Sequence, residues 1–209
     1  MIMKKYTSPL ECNNYYHVYN HAVGKDNLFK NNGNYIYFLK KYAKYISPVA
    51  DTFAYCLLPN HFHIALRIKD EQQIENTIKT DLKIKSTNKL DYKKYISKQF
   101  SNLFSSYTQA FNRQNERTGT LFERPFKRLH IDSNNYFREI IHYIHFNPVH
   151  HGFVEDLRDW KYSSFESFFS EKATLLKRAE VIDWFNNKED FYTFHKKEIK
   201  EKAIIDLEL

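Results

Sequence analysis

Apolar and polar positions alternate along Tyr15–Val23 (YYHVYNHAV), a period of two that predicts a strand ended by Gly24. Over Asn34–Ser47 the period changes. Ile36, Leu39, Ala43 and Ile46 recur at helical spacing with lysines opposite, and Pro48 closes that helix. Asp51–Leu58 and His61–Ile68 are two further strand-like runs, and Pro59-Asn60 between them predicts a tight hairpin. In the second run Phe62, Ile64, Leu66 and Ile68 share one face, while His61, His63, Ala65 and Arg67 share the other. A short helix is predicted near Gln72–Lys79, a polar loop over Lys83–Asp91, and a long helix over Tyr92–Gln114. Leu121–Ile131 reads as a strand that Pro125 kinks or confines to an edge. Asp132-Ser133 caps a helix from Asn134 to about Asn147, where Pro148 disfavours helical geometry in the residue before it. The segment to Ser170, with Trp160 and Tyr162, is expected to pack back on the body. Residues 175–209 read as one or two charged helices anchored by Val181, Ile182, Trp184 and Phe185.

Strand, helix, hairpin, helix, strand, helix is an α+β order. It predicts an antiparallel sheet close to the ferredoxin-like arrangement, with helices mainly on one face. We expect one domain over residues 1–170 and a C-terminal helical extension over 171–209. The formal charge of +7 and the 17% aromatic content suit a polyanionic partner whose bases can stack on rings. Arg67, Arg124, Lys127 and Arg128 are candidate DNA contacts, although a solvated basic face has the same composition. Cys12 and Cys56 have no metal-type spacing and suggest no disulfide framework. The opening residues lack the apolar run of a signal peptide, and no stretch approaches the ~20 apolar residues of a membrane span. A cytoplasmic, nucleoid-associated protein without membrane contact is therefore expected.

Two segments carry candidate chemistry. In PNHFHIAL, His61 and His63 project from one strand face and can converge on one metal ion, while Phe62 points into the core. A bare pair of this kind also describes two ordinary surface or core histidines. In HYIHFNPV, Tyr143 and Asn147 lie one helical turn apart on one face. An amide oxygen can ligate a hard cation, and a phenol that loses its proton is a nucleophile. Taken alone, the same residues describe a packing tyrosine and a helix-capping asparagine.

Together these segments resemble the single-tyrosine HUH transposases, and among them the REP-associated tyrosine transposases of the insertion-sequence-200-like branch. The resemblance runs over most of Tyr15–Ser164, in the family's order: YYHVYNHAVGKDNLF, AYCLLPNHFHIAL, GTLFERPFKR, YIHFNPVHHGFV and DWKYSSF. The His and Tyr/Asn segments are the specific ones. The chain departs from the pattern at His21 and His150, where arginine is usual, at Leu58 for methionine and at Tyr162 for tryptophan. The resemblance implies an HUH fold with Tyr143 as nucleophile and His61, His63 and Asn147 as ligands of Mg²⁺ or Mn²⁺. It also implies a 5′-phosphotyrosine intermediate, strand transfer on single-stranded or hairpin DNA, and a monomer or homodimer. The alternative is a domesticated DNA-hairpin-binding protein that has lost the chemistry.

Overall fold

The computed structural model describes residues 7–82 and 91–197. The predicted loop over Lys83–Asp91 lies outside the described residues except for Asp91. The elements follow in the order β1 (Tyr15–His21), α1 (Asn32–Tyr45), β2 (Ala50–Leu58), β3 (His61–Ile68), α2 (Glu71–Leu82), α3 (Tyr92–Gln114), β4 (Lys127–Ile131), α4 (Asn134–His150), α5 (Arg178–Trp184) and α6 (Lys188–His195). Pro59-Asn60 forms the two-residue link of the β2–β3 hairpin, as its turn chemistry predicts.

The strands pair in the order β2-β3-β1-β4, antiparallel throughout, which is the ferredoxin-like order. The β1–β3 register sets His21 opposite His61, Tyr19 opposite His63 and His17 opposite Ala65. β4 is an edge strand. It starts only after Pro125, and Phe122 makes an isolated bridge to Ala22 ahead of it.

One sheet face, carrying Tyr16, Val18, Phe62, Ile64 and Leu66, packs in a common core with α1 and α3. The other carries Phe53, Ala54, Cys56, Leu58 and Ala65, and shares a core with α4, α5 and α6. Helices therefore cover both faces rather than mainly one. On this second face even His17 and His63 are buried.

Helix α1 begins at Asn32, where the Asn31 side chain accepts from Asn34 N at 3.1 Å. Its buried side is Tyr35, Phe38 and Tyr42; of the predicted stripe Ile46 is buried and Leu39 packs against the core, but Ile36 is 57% exposed. The aromatic rings bury more area than Ile36 would, so they set the rotation of the helix. Phe38 meets the rings of Phe29, Phe62 and Tyr107. Helix α4 starts as predicted, with Ser133 Oγ accepting from Tyr136 N at 3.3 Å. It runs past Asn147 to His150, so Pro148 sits inside its last turn. Proline there removes only the one N–H that Ile144 O would have accepted, and His151 N closes the next turn on Asn147 O at 3.0 Å.

The segment after α4 folds back on β2. Trp160 Nε1 donates to Leu57 O at 3.0 Å, and the Tyr162 ring stacks on Tyr35 with centroids 3.5 Å apart. Of the expected anchor, Val181 in α5 and Phe185 just after it are buried in the α4 core, with Ile182 and Trp184 half-buried against it.

Candidate active site

Tyr143 and Asn147 lie one turn apart on α4, and that turn faces the histidine row of β3. The His61 and His63 rings stand perpendicular with centroids 5.1 Å apart, and His63 meets the Tyr143 ring edge-on at 5.3 Å. His61 Nε2 lies 3.5 Å from Asn147 Oδ1. His61, His63, Tyr143 and Asn147 are each at most 3% exposed. The two segments, distant in sequence, thus meet at one buried place.

Hydrogen bonds fix which atoms face each other. Asn147 Nδ2 donates to the Tyr143 carbonyl at 2.9 Å, which turns Oδ1 toward His61. His61 Nδ1–H donates to Asn60 Oδ1 at 2.8 Å, which leaves Nε2 with a bare lone pair. His61 Nε2 and Asn147 Oδ1 are 3.5 Å apart, a long hydrogen bond when the ring proton is on Nε2 and two facing lone pairs when it is on Nδ1. In the Nδ1–H tautomer, which the 2.8 Å contact with Asn60 favours, both lone pairs are open to one cation. Two donors each about 2.1 Å from one ion, at ordinary coordination angles, are roughly 3.0–3.5 Å apart, so the spacing fits. Burial, with His21 and His151 adding like charge, lowers the His61 pKa to about 3, and burial holds His63 well below its usual value. Both rings are neutral near pH 7, the state a metal ligand needs. Among the described residues no group of three His, Cys, Asp or Glu side chains is arranged for a metal, so any ion here needs the Asn147 amide.

A second tier surrounds this centre. His17 Nε2 lies 2.9 Å from His63 Nδ1, and the His17 ring stacks on Tyr19 and meets Tyr143 edge-on at 5.9 Å. His21 stacks on His61 at 4.7 Å, and His151 meets it at 4.9 Å. Sequence reasoning passed over His17 and Tyr19. The signal was present: alternation along β1 puts His17, Tyr19 and His21 on the face that pairing aligns with His61 and His63.

The four basic candidates separate. Arg67 donates to Asp51 at 2.8 Å, Glu180 at 2.7 Å and Tyr15 Oη at 3.0 Å. It belongs to a network that ties α5 to the sheet, with its donors turned to two carboxylates. Arg128 is turned inward onto the carbonyls of Thr7, Ser8 and Phe126 and lies over the Phe126 ring. Arg124 is exposed. Lys127 pairs across from Tyr19 with its ammonium 5.6 Å from that ring, next to the histidine row.

His145 of α4 and His195 of α6 build a separate structure. His195 Nδ1–H donates to Phe191 O at 2.8 Å, so its Nε2 accepts from His145 Nδ1–H at 2.9 Å. His145 Nε2 in turn accepts from the Ser164 hydroxyl at 2.8 Å, and Ser164 Oγ accepts from Tyr55 N at 2.9 Å. This chain holds α4 between α6 and β2.

The sheet order and the meeting of a His-x-His strand with a Tyr/Asn helical turn define an HUH tyrosine-transposase type of fold. The comparisons agree. A solved REP-associated tyrosine transposase bound to a REP hairpin superposes with a TM-score of 0.53 over 79% of this chain and 85% of that one, at 16% identity, which shows the fold. A Haemophilus influenzae protein named as a REP-associated tyrosine transposase is 31% identical over 117 residues, 55% of this chain. The matched stretch spans 58% of that relative's length. No protein-family model matches the chain. The resemblance carried by the motifs is met in sequence by the one and in fold by the other. Among the described residues no helix is long and apolar enough to cross a membrane.

Proposed function

We propose that this protein cleaves and rejoins single-stranded DNA beside a hairpin, with Tyr143 as the nucleophile. The observation that carries the reading is the meeting of Tyr143 and Asn147 with the His61/His63 pair in one buried cluster. The named relative and the hairpin-bound structural neighbour support the substrate class.

His61 Nε2, the facing nitrogen of His63 and Asn147 Oδ1 would hold a divalent cation, Mg²⁺ or Mn²⁺. Two imidazoles favour Mn²⁺ by ligand preference. Bound there, such an ion supplies positive charge to the scissile phosphate and its leaving oxygen. The Tyr143 oxygen, losing its proton, forms a bond to phosphorus. The bond from phosphorus to the 3′ oxygen breaks, and that oxygen takes up a proton as a free 3′-hydroxyl. A second 3′-hydroxyl then attacks the phosphotyrosine, restores the phenol and reseals the backbone without a nucleotide cofactor. His17 and His63 hold the Tyr143 ring on two edges. Such restriction lowers the entropy cost of reaching in-line attack. Lys127 and Arg124 would meet backbone phosphates of the incoming strand.

Tyr143 is only 1% exposed, so the DNA must displace what covers it before attack. That burial also favours a second reading: a hairpin-binding protein of this fold without chemistry. One experiment separates them. Full-length protein is incubated with Mn²⁺ and a hairpin-bearing single-stranded oligonucleotide, then resolved under denaturing conditions. A covalent adduct that Tyr143→Phe abolishes is the expected result. Hairpin binding with no adduct from the wild type would favour the second reading, and an adduct from the variant would remove Tyr143 as nucleophile.

A further inference from the structure

We propose that His17 is a positioning residue that decides which ring nitrogen of His63 is bare. This rests on the metal reading of His61, His63 and Asn147 above. His63 can serve a cation only through Nε2, because Nδ1 is engaged at 2.9 Å with His17 Nε2. For Nε2 to carry a lone pair, the His63 proton must sit on Nδ1, and the partner atom must accept it. His17 Nε2 is then the acceptor, and the remaining His17 proton sits on Nδ1. His17 Nδ1 is a buried atom with no hydrogen-bond partner among the described residues. Among the described residues no other hydrogen bond fixes the tautomer of this ring, so the pair shares a single decision. When Nε2 of His63 faces a cation, the shared proton belongs to His63. In the reverse tautomer the His63 Nε2–H would point a proton at the ion.

The geometry around the pair is built for this contact. His17 is wholly buried and stacked between neighbours, with ring centroids 4.9 Å from Tyr19 and 5.1 Å from His63. The residue directly across from it on β3 is Ala65. The small side chain there leaves room for the imidazole to lean diagonally onto His63, two positions along. Ligating histidines usually give their second N–H to a carboxylate or carbonyl, and here an imidazole occupies that place.

The test is Mn²⁺ binding by the full chain, followed by electron paramagnetic resonance of the free ion, with a melting curve in EDTA beside it. His17→Leu removes the acceptor, and His17→Gln returns an amide oxygen about where Nε2 lies. We expect His17→Leu to weaken Mn²⁺ binding about 10–100-fold and His17→Gln to stay within about threefold of wild type. If His17→Leu does not fold, His17→Asn, whose amide is too short to reach His63, takes its place against His17→Gln. Wild-type affinity in the variant lacking the acceptor would overturn the role of His17 and leave the metal site standing. Absence of Mn²⁺ binding by the wild type itself would instead overturn the metal reading.

Discussion

Asn147 addresses two partners at once: its Nδ2 donates to the Tyr143 carbonyl at 2.9 Å, and its Oδ1 faces His61 Nε2 at 3.5 Å. The amide is wholly buried, so each end has a consequence when changed. Asn147→Asp replaces the donor by an oxygen that faces the Tyr143 carbonyl, and it buries a charge. Without metal this variant should lose about 2 kcal/mol or more of stability. With a cation in place, the carboxylate becomes the stronger ligand. The shift in melting temperature between EDTA and millimolar Mn²⁺ should therefore be larger for Asn147→Asp than for wild type. An equal or smaller shift would mean that no cation lies beside residue 147.

Arg67 and Arg124 should part in experiment as they do in structure. Asp51 is nearly buried, and Arg67 meets it at 2.8 Å. Arg67→Ala should cost about 1–3 kcal/mol of stability by stranding that carboxylate, softened by Lys177 nearby, with hairpin affinity little changed. Urea unfolding and a binding titration on the same variant would check both halves.

Arg124→Ala should leave stability within about 0.5 kcal/mol, since the residue is exposed. It should weaken hairpin binding for every sequence tested and reduce the slope of log affinity against log salt by about 1. An unchanged slope would place the DNA elsewhere.

Acid should unfold this protein through its buried imidazoles. His195 is buried against His145 and His142, and its pKa is lowered from 6.5 to about 3. Above about pH 6.5 neither folded nor unfolded chain protonates it, so its contribution is fully present. Between pH 6.5 and 3 the unfolded chain takes up a proton that the folded chain refuses, so stability falls as pH falls. One such group lowers stability by about 2 kcal/mol at pH 5 relative to pH 7. Unfolding curves at pH 5, 6 and 7 should show His195→Gln, whose amide can still accept from His145, to be less acid-sensitive than wild type. A parallel pair of pH profiles would refute this.

Much of the site could be read in advance because its parts are local. His61 and His63 share a face by strand geometry, and Tyr143 and Asn147 share one by helical geometry, within motifs of recognisable order. The strand order followed from the succession of elements, and the β2–β3 turn from Pro59-Asn60. What escaped was decided between segments. The rotation of α1 was settled by Tyr35, Phe38 and Tyr42 competing with Ile36 for the interior, which spacing alone does not weigh. Arg67 looked available until Glu180, distant in sequence, was brought to it by α5. His17 acquired its place only through a register that sets it across from Ala65 and beside His63. Pro148 marked a helix end one turn early because a last-turn proline forfeits a single bond.

The edge-on contact of Tyr143 with His63 joins two side chains of the same polypeptide. If Tyr143 is the nucleophile proposed above, this contact predicts that each copy attacks with its own oxygen beside its own imidazoles. Blending Tyr143→Phe copies with His63→Ala copies should rescue no adduct, because neither population carries the full set. Recovery in such a blend would mean that subunits lend one another the α4 helix.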